Sequence, residues 1–230
     1  IKSILETAGL KVGLIGTMSN MIGTQSVPSE RTTPESLDLQ ALFAQMRDAG
    51  CGYVIMEVSS HAISLERVGG VRFDVAAFTN LTEDHLDFHK TMENYCDAKA
   101  ELFARCDLAV ANCDDSWFHR ICAKAACPVL TTSAKAEAGL HASQVELHAN
   151  GVCFDAVAAQ EQVHVSLTIP GGFTVYNALT ALGIARQLGI SLTDAAAALA
   201  SAPGVSGRVE VVPTPGKPYT VLIDYAHTPD

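Results

Sequence analysis

Between residues 56 and 99 the chain gathers the side chains most capable of chemistry. It reads M-E-V-S-S-H at 56–61, T-N-L-T-E-D-H-L-D-F-H at 79–89 and C-D-A-K at 96–99. Glu57, Ser59, Ser60, His61, Arg67, Asn80, Asp84, His85, Asp87, His89 and Lys99 all fall within it. Apolar runs separate the clusters, so each is expected at the end of a buried element. Two carboxylates and an imidazole (Glu57, Asp84 and His85) suit a divalent cation. Mg²⁺ prefers oxygen ligands and often keeps only one or two from the protein. Histidine is an unusual partner for so hard an ion, so the set fits Mg²⁺ held largely by phosphate, or Mn²⁺. His85 and His89 would share a helix face and also suit zinc, but no third His or Cys stands at a zinc-like spacing. The plain alternative is a solvated acidic turn. Lys99 cannot ligate a metal as an ammonium. It can bind phosphate or, if buried and neutral, take up CO₂ as a carbamate with oxygen donors. Taken alone, its sequence context places it on an exposed helix face.

The elements that must position these residues alternate between strand and helix. Residues 1–8 read as the tail of a helix, 11–17 as a strand and 18–31 as a polar loop. Thr33, Pro34 and Glu35 make a helix start, with Thr33 as N-cap. Leu39, Leu42, Phe43 and Met46 form its apolar stripe. One threonine suffices for the cap, which leaves the pair Thr32 and Thr33 open to a ligand contact. Residues 53–57 read as a buried strand ending on Glu57, where α/β folds bind ligands. A strand at 74–80, a helix at 91–104 carrying Lys99, a strand at 107–111, a helix at 115–125 and a strand at 128–131 follow. From 143 to 170 the pattern changes to short alternating strands with an Asn150-Gly151 hairpin turn. Helices at 174–188 and 193–200 and strands at 208–212 and 219–224 complete the chain. The reading is an α/β fold: a doubly wound, mostly parallel sheet flanked by helices, with a small antiparallel subdomain near 143–170.

At 230 residues the chain can bury a large core. A net charge of −10 argues against nucleic acid or an anionic membrane as a general partner. No apolar run reaches the ~18–20 residues that span a bilayer. Seven cysteines without a C-x-x-C point to reduced thiols in a cytoplasmic protein. No G-x-x-x-x-G-K-[ST] phosphate loop occurs. The chain opens mid-helix and stops at D-Y-A-H-T-P-D, so a fragment of a longer protein is expected, with such a loop immediately before Ile1.

The motifs M-E-V-S-S-H-A, F-T-N-L-T-E-D-H-L-D-F-H, Y-C-D-A-K, G-R-V-E and D-Y-A-H-T-P-D, in this order, resemble the central ATPase domain of the Mur ligases. Within that family the chain most resembles the branch that adds the third residue of the peptidoglycan stem peptide. The resemblance implies a central ATP-binding domain over 1–211 and the start of a C-terminal ligase domain over 212–230. It implies ATP- and Mg²⁺-dependent amide formation on UDP-N-acetylmuramoyl-L-alanyl-D-glutamate through an acyl phosphate. ATP, the nucleotide-sugar dipeptide and an amino acid would be the partners, and a cytoplasmic monomer is expected. Thr32, Thr33, Ser59 and Arg67 match substrate contacts. Glu57 and His85 match Mg²⁺ ligands, and Lys99 matches the carbamylated lysine. Asn177, Arg208, Asp224 and His227 match positions near the nucleotide. The chain departs from the family at Leu65, where relatives carry Gln, and at Thr174 and Tyr176 within F-T-V-Y-N. Two other classes compete: a metal-dependent hydrolase built on Asp84, His85, Asp87 and His89, and a non-catalytic nucleotide-sugar-binding domain.

Overall fold

A computed structural model of the chain describes residues 1–205 and 207–226. These residues group into two compact units. The first comprises 1–77, 83–109 and 116–129; the second comprises 78–82, 110–115 and the residues from 130 onward.

The first elements are α1 (Lys2–Thr7), β1 (Val12–Ile15), β2 (Asn20–Ile22), β3 (Gln25–Val27), α2 (Ser36–Asp48), β4 (Tyr53–Met56) and α3 (Ser60–Ser64). Their strands form a four-stranded sheet in the order β3-β2-β1-β4, with β1 and β4 parallel and β2 antiparallel to both neighbours. The stretch 18–31, expected as a loop, folds back as the β2–β3 hairpin. Gly23, at φ +61°, makes its turn. Strands of three residues are too short to display an alternating pattern, which is why the sequence hides them.

Leu39, Leu42 and Met46 recur along one face of α2, and all three are buried. With Ile15, Ile63 and Val68 they form one apolar cluster. That cluster fixes the end of β1 and the last turn of α3 against α2. The helix begins later than expected. Its N-cap is Glu35 rather than Thr33, and no side chain bonds the cap position. The Thr33 hydroxyl is engaged elsewhere.

Next come β5 (Phe73–Phe78), α4 (Leu86–His89), α5 (Met92–Ala100), a 3₁₀ turn over Glu101–Arg105, β6 (Cys106–Asn112), α6 (Phe118–Cys122) and β7 (Val129–Ser133). Thr91 caps α5, its hydroxyl accepting from the Asn94 amide. The expected helix over 115–125 contracts to the five residues of α6.

The remaining elements are β8 (Leu140–His148), β9 (Gly151–Ala158), β10 (Glu161–Leu167), α7 (Phe173–Gln187), α8 (Leu192–Ala200), β11 (Glu210–Val212) and β12 (Val221–Ile223). The six-stranded sheet runs β10-β9-β8-β7-β6-β5. The antiparallel strands lie where the alternation and the Asn150-Gly151 turn put them. They are not set apart: β8 pairs in parallel with β7 through Thr132–Leu140 and Ser133–His141, so they extend the larger sheet. Val152, Phe154, Ala156 and Ala158 alternate inward along β9. Strands β11 and β12 pair with each other across position 212.

One expectation about burial changes. The strand ending at Glu57 is expected to be buried, yet β4 lies at the margin of its sheet and Val54 is 39% exposed. An apolar run marks a strand without saying whether that strand is central.

Candidate active site

Glu57 follows directly on β4. Its amide donates to the Ile15 carbonyl at 2.9 Å, which carries the β1–β4 pairing one residue beyond the strand. This places the Glu57 side chain beside the Gly16-Thr17 turn. The Thr17 hydroxyl donates to Glu57 Oε2 at 2.5 Å, and the Thr17 amide donates to the same oxygen at 3.3 Å. A Cβ on Gly16 would lie 2.9 Å from Glu57 Oε1. The carboxylate is thus held on one oxygen by Thr17 and admitted by the absence of a side chain at Gly16. The Thr17 hydroxyl also lies 3.0 Å from the Thr32 hydroxyl. Glu57 remains exposed, so its other lone pairs face solvent.

Thr33 fixes the backbone of the same turn. Its hydroxyl donates to the Glu57 carbonyl at 2.8 Å and accepts from the Ser59 amide at 3.1 Å. It is 1% exposed, so this hydroxyl acts as a clamp behind Glu57 rather than as a ligand contact. Ser59 caps α3, its side chain accepting from the Ala62 amide at 3.2 Å. Arg67 Nη1 donates to the Thr33 carbonyl at 3.4 Å, and Nη2 pairs with Glu35 at 2.9 Å. Its Nε is buried without a hydrogen-bond partner among the described residues.

A second network starts from the other residues of the same triplet. The Ser60 hydroxyl lies 2.9 Å from His89 Nε2, and both side chains are buried. His89 stacks on Tyr95 with ring centroids 5.0 Å apart and an interplanar angle of 20°. Tyr95 in turn lies under Lys99, whose Nζ is 5.1 Å from the ring centroid. His61 meets the edge of His85 at 4.8 Å. Asp84 Oδ1 accepts from the His85 amide at 2.7 Å and stands 3.3 Å from its Nδ1. His85 itself adopts a left-handed backbone, φ 55°, as the N-cap of α4. Ser59-Ser60-His61 therefore joins the Glu57 network to the His85–Tyr95–Lys99 network.

Burial dominates the electrostatics. It lowers the pKa of the Lys99 amine, with Asp84 acting in the opposite sense. Burial also pushes the Tyr95 phenol up to about 12, reinforced by the Asp84 charge. His61 and His89 are both held below the ordinary imidazole value, chiefly by burial. Lys99 is half-buried on α5, not on the exposed face that its sequence context suggested.

Among the described residues no three His, Cys, Asp or Glu side chains form a metal cage. Glu57 and His85 are both exposed, a donor set suited to a cation that takes most of its shell from water and phosphate. A zinc pair of His85 and His89 is not supported, because His89 is buried with its Nε2 against Ser60.

Of the residues matched to the nucleotide, Asn177 is exposed on α7 in the second unit. Arg208 lies over the Tyr225 ring at 5.4 Å. Asp224 accepts from the Val209 amide at 3.2 Å and the Ala226 amide at 2.8 Å. An open cavity of ≈ 400 Å³ is lined by Thr168, Ile169, Val205, Arg208 and Glu210 among others. His227 lies outside the described residues.

Two residues in this arrangement escape a motif reading: Gly16 and Thr17. Their only signal is position, at the end of β1 beside the end of β4. Tyr95 opens the Y-C-D-A-K motif, and its contact with Lys99 follows from their four-residue spacing on one helix face.

Residues 1–185 match the model of the Mur ligase middle domain. The chain belongs to the Mur ligase family. The resemblance read from the five motifs is thereby borne out. Over its whole length this Mur ligase chain is 46% identical to the UDP-N-acetylmuramoyl-L-alanyl-D-glutamate–2,6-diaminopimelate ligase of Clostridium botulinum, of which it covers 48%. It is 43% identical to the protein of the same name from Geobacillus thermodenitrificans, of which it covers 49%. The chain thus spans about half the length of these curated relatives. A solved structure of a UDP-N-acetylmuramoyl-L-alanyl-D-glutamate–2,6-diaminopimelate ligase superposes with a TM-score of 0.85 at 28% identity, covering 99% of this chain and 48% of that one. MurF from Acinetobacter baumannii shares the fold, with a TM-score of 0.78 at 22% identity over 97% of this chain and 46% of its own. No described helix is long and apolar enough to cross a membrane.

Proposed function

We propose that this Mur ligase chain is the ATP-binding middle of a longer enzyme that joins an amino acid to UDP-N-acetylmuramoyl-L-alanyl-D-glutamate. Residues 1–211 form that domain, and 212–230 lead into the domain that receives the amino acid. The observation that carries the reading is the 46% identity across the whole chain to a ligase of that name. The names of the same relatives support 2,6-diaminopimelate as that amino acid.

The substrate carboxylate attacks the γ-phosphate of ATP and displaces ADP, which gives an acyl phosphate. The amine of the amino acid then adds to that carbonyl and phosphate leaves. The catalytic demand is to place three anionic or nucleophilic groups together and neutralise them. Ser59 and Arg67 meet the dipeptide, with Thr32 and Thr33 at its side. Thr33 does so through the turn it holds, since its hydroxyl is engaged with Glu57 and Ser59. Asn177, Arg208, Asp224 and His227 serve the nucleotide.

Glu57 and His85 would hold Mg²⁺, with Lys99 as a carbamate adding oxygen donors. When bound, the ion supplies positive charge to the phosphates. The reading is supported by the anchoring of Glu57 through Thr17 and by the burial of Lys99, which favours the neutral amine that CO₂ requires.

The test is an omission assay on the full-length protein. Tripeptide product, with one ADP for each amide, should form only when ATP, Mg²⁺, the nucleotide-sugar dipeptide and diaminopimelate are all present. Ester or phosphate hydrolysis without ATP would favour the hydrolase. Dipeptide binding with no turnover would favour the non-catalytic domain.

A further inference from the structure

None of the seven cysteines is in a disulfide. The sulfurs of Cys106 and Cys127 lie 3.5 Å apart. Cys106 opens β6 and is 5% exposed, with its Sγ also 3.5 Å from the Phe103 carbonyl. Cys127 is half-buried in the segment that enters β7. The Ala109 amide donates to the Pro128 carbonyl at 3.0 Å, which pins that segment against β6. Arg72 Nε donates to Asp107 at 2.9 Å, which sets a guanidinium beside the pair. A disulfide needs the sulfurs at about 2.05 Å, so an approach of about 1.5 Å by side-chain rotation closes the bond.

We propose that Cys106 and Cys127 form a dithiol modification site that reacts with low-molecular-weight disulfides of the oxidised glutathione class and closes into an internal disulfide. Burial, and then the hydrogen bond with Cys127, push the Cys106 thiol up to about 12. The more accessible Cys127 is therefore the first nucleophile. Its thiolate attacks one sulfur of the small disulfide and expels one small thiolate, leaving a mixed disulfide on Cys127. Cys106 then gives up its proton and attacks Cys127 Sγ, expelling the second small thiolate, which takes that proton. Two protein S–H groups become one S–S bond, and one small disulfide becomes two thiols. The product staples the start of β6 to the entry of β7. This inference is independent of the ligase reading.

The experiment treats the chain with oxidised glutathione, alkylates the remaining thiols and maps the non-reduced digest. The expected result is a peptide pair linked through Cys106 and Cys127, with the intact mass lower by one pair of hydrogens. Cys106→Ser should instead stop at a glutathione adduct on Cys127. The proposal fails if both cysteines of the wild-type chain remain open to alkylation, or if either joins a different cysteine. The wild-type map decides the question even if the variant does not fold.

Discussion

Removing the Thr17 hydroxyl tests how the candidate site is built. In Thr17→Val the side chain keeps its shape but loses the bond to Glu57 Oε2, while the longer amide contact at 3.3 Å stays. A hydrogen bond to a charged group contributes about 1.5–3 kcal/mol. Both partners are exposed, so solvent screening places this bond near the low end of that range. At about 1.4 kcal/mol per decade, the cost is roughly tenfold in metal affinity. That agrees with the roughly 10–100-fold effect of residues that orient a metal ligand. The assay is a Mn²⁺ titration of the full-length ligase in the presence of nucleotide, read by electron paramagnetic resonance. Thr17→Ser should restore binding, and Glu57→Gln should weaken it more than Thr17→Val does. Unchanged affinity in Thr17→Val, with a clear loss in Glu57→Gln, would refute the role given to Thr17. No loss in either variant would remove Glu57 from the site.

Gly16→Ala should move the Glu57 carboxylate rather than unfold the chain, because the three atoms nearest its Cβ all belong to the flexible Glu57 side chain. Metal affinity should fall severalfold with the melting temperature nearly constant, and a large drop in melting temperature would contradict this. Lys99→Ala in the full-length enzyme should lower the ligation rate by orders of magnitude, with partial rescue by short carboxylic acids; an unchanged rate would exclude Lys99. His89 has a folded pKa below the ordinary value of about 6.5, chiefly through burial. The unfolded chain then binds the proton more readily, so this stability is fully present above about pH 6.5 and is lost as pH falls through the lowered value. Melting curves should show that fall, less steeply in His89→Gln, and an identical slope in the variant would count against it.

The residues that carry motifs were legible in the sequence because chemistry restricts their type. Glu57 at a strand end, the Asp84-His85 pair and Lys99 on a helix could all be placed by pattern. The apolar stripe of α2 and the antiparallel strands after residue 140 were equally plain, since burial imposes a period on the sequence. Features made by contact between distant segments were not. The Thr33 hydroxyl looked like a helix cap because its neighbours are Pro34 and Glu35. It serves instead a turn 24 residues away, which only the β1–β4 pairing brings near. Gly16 and Thr17 carry no signature beyond their place at the end of β1. Burial of Lys99 beside Tyr95 depends on how α4 and α5 pack, which helix periodicity alone does not reveal. The β2–β3 hairpin was too short to leave a pattern.

The central claim is that this domain serves a ligase that activates a carboxylate with ATP. Labelling the reacting carboxylate of the nucleotide-sugar dipeptide with ¹⁸O tests it most directly, using the full-length enzyme with ATP, Mg²⁺ and diaminopimelate. The account predicts one ¹⁸O in the released phosphate for each amide formed. Phosphate free of label, with the displaced ¹⁸O lost to water, would contradict it.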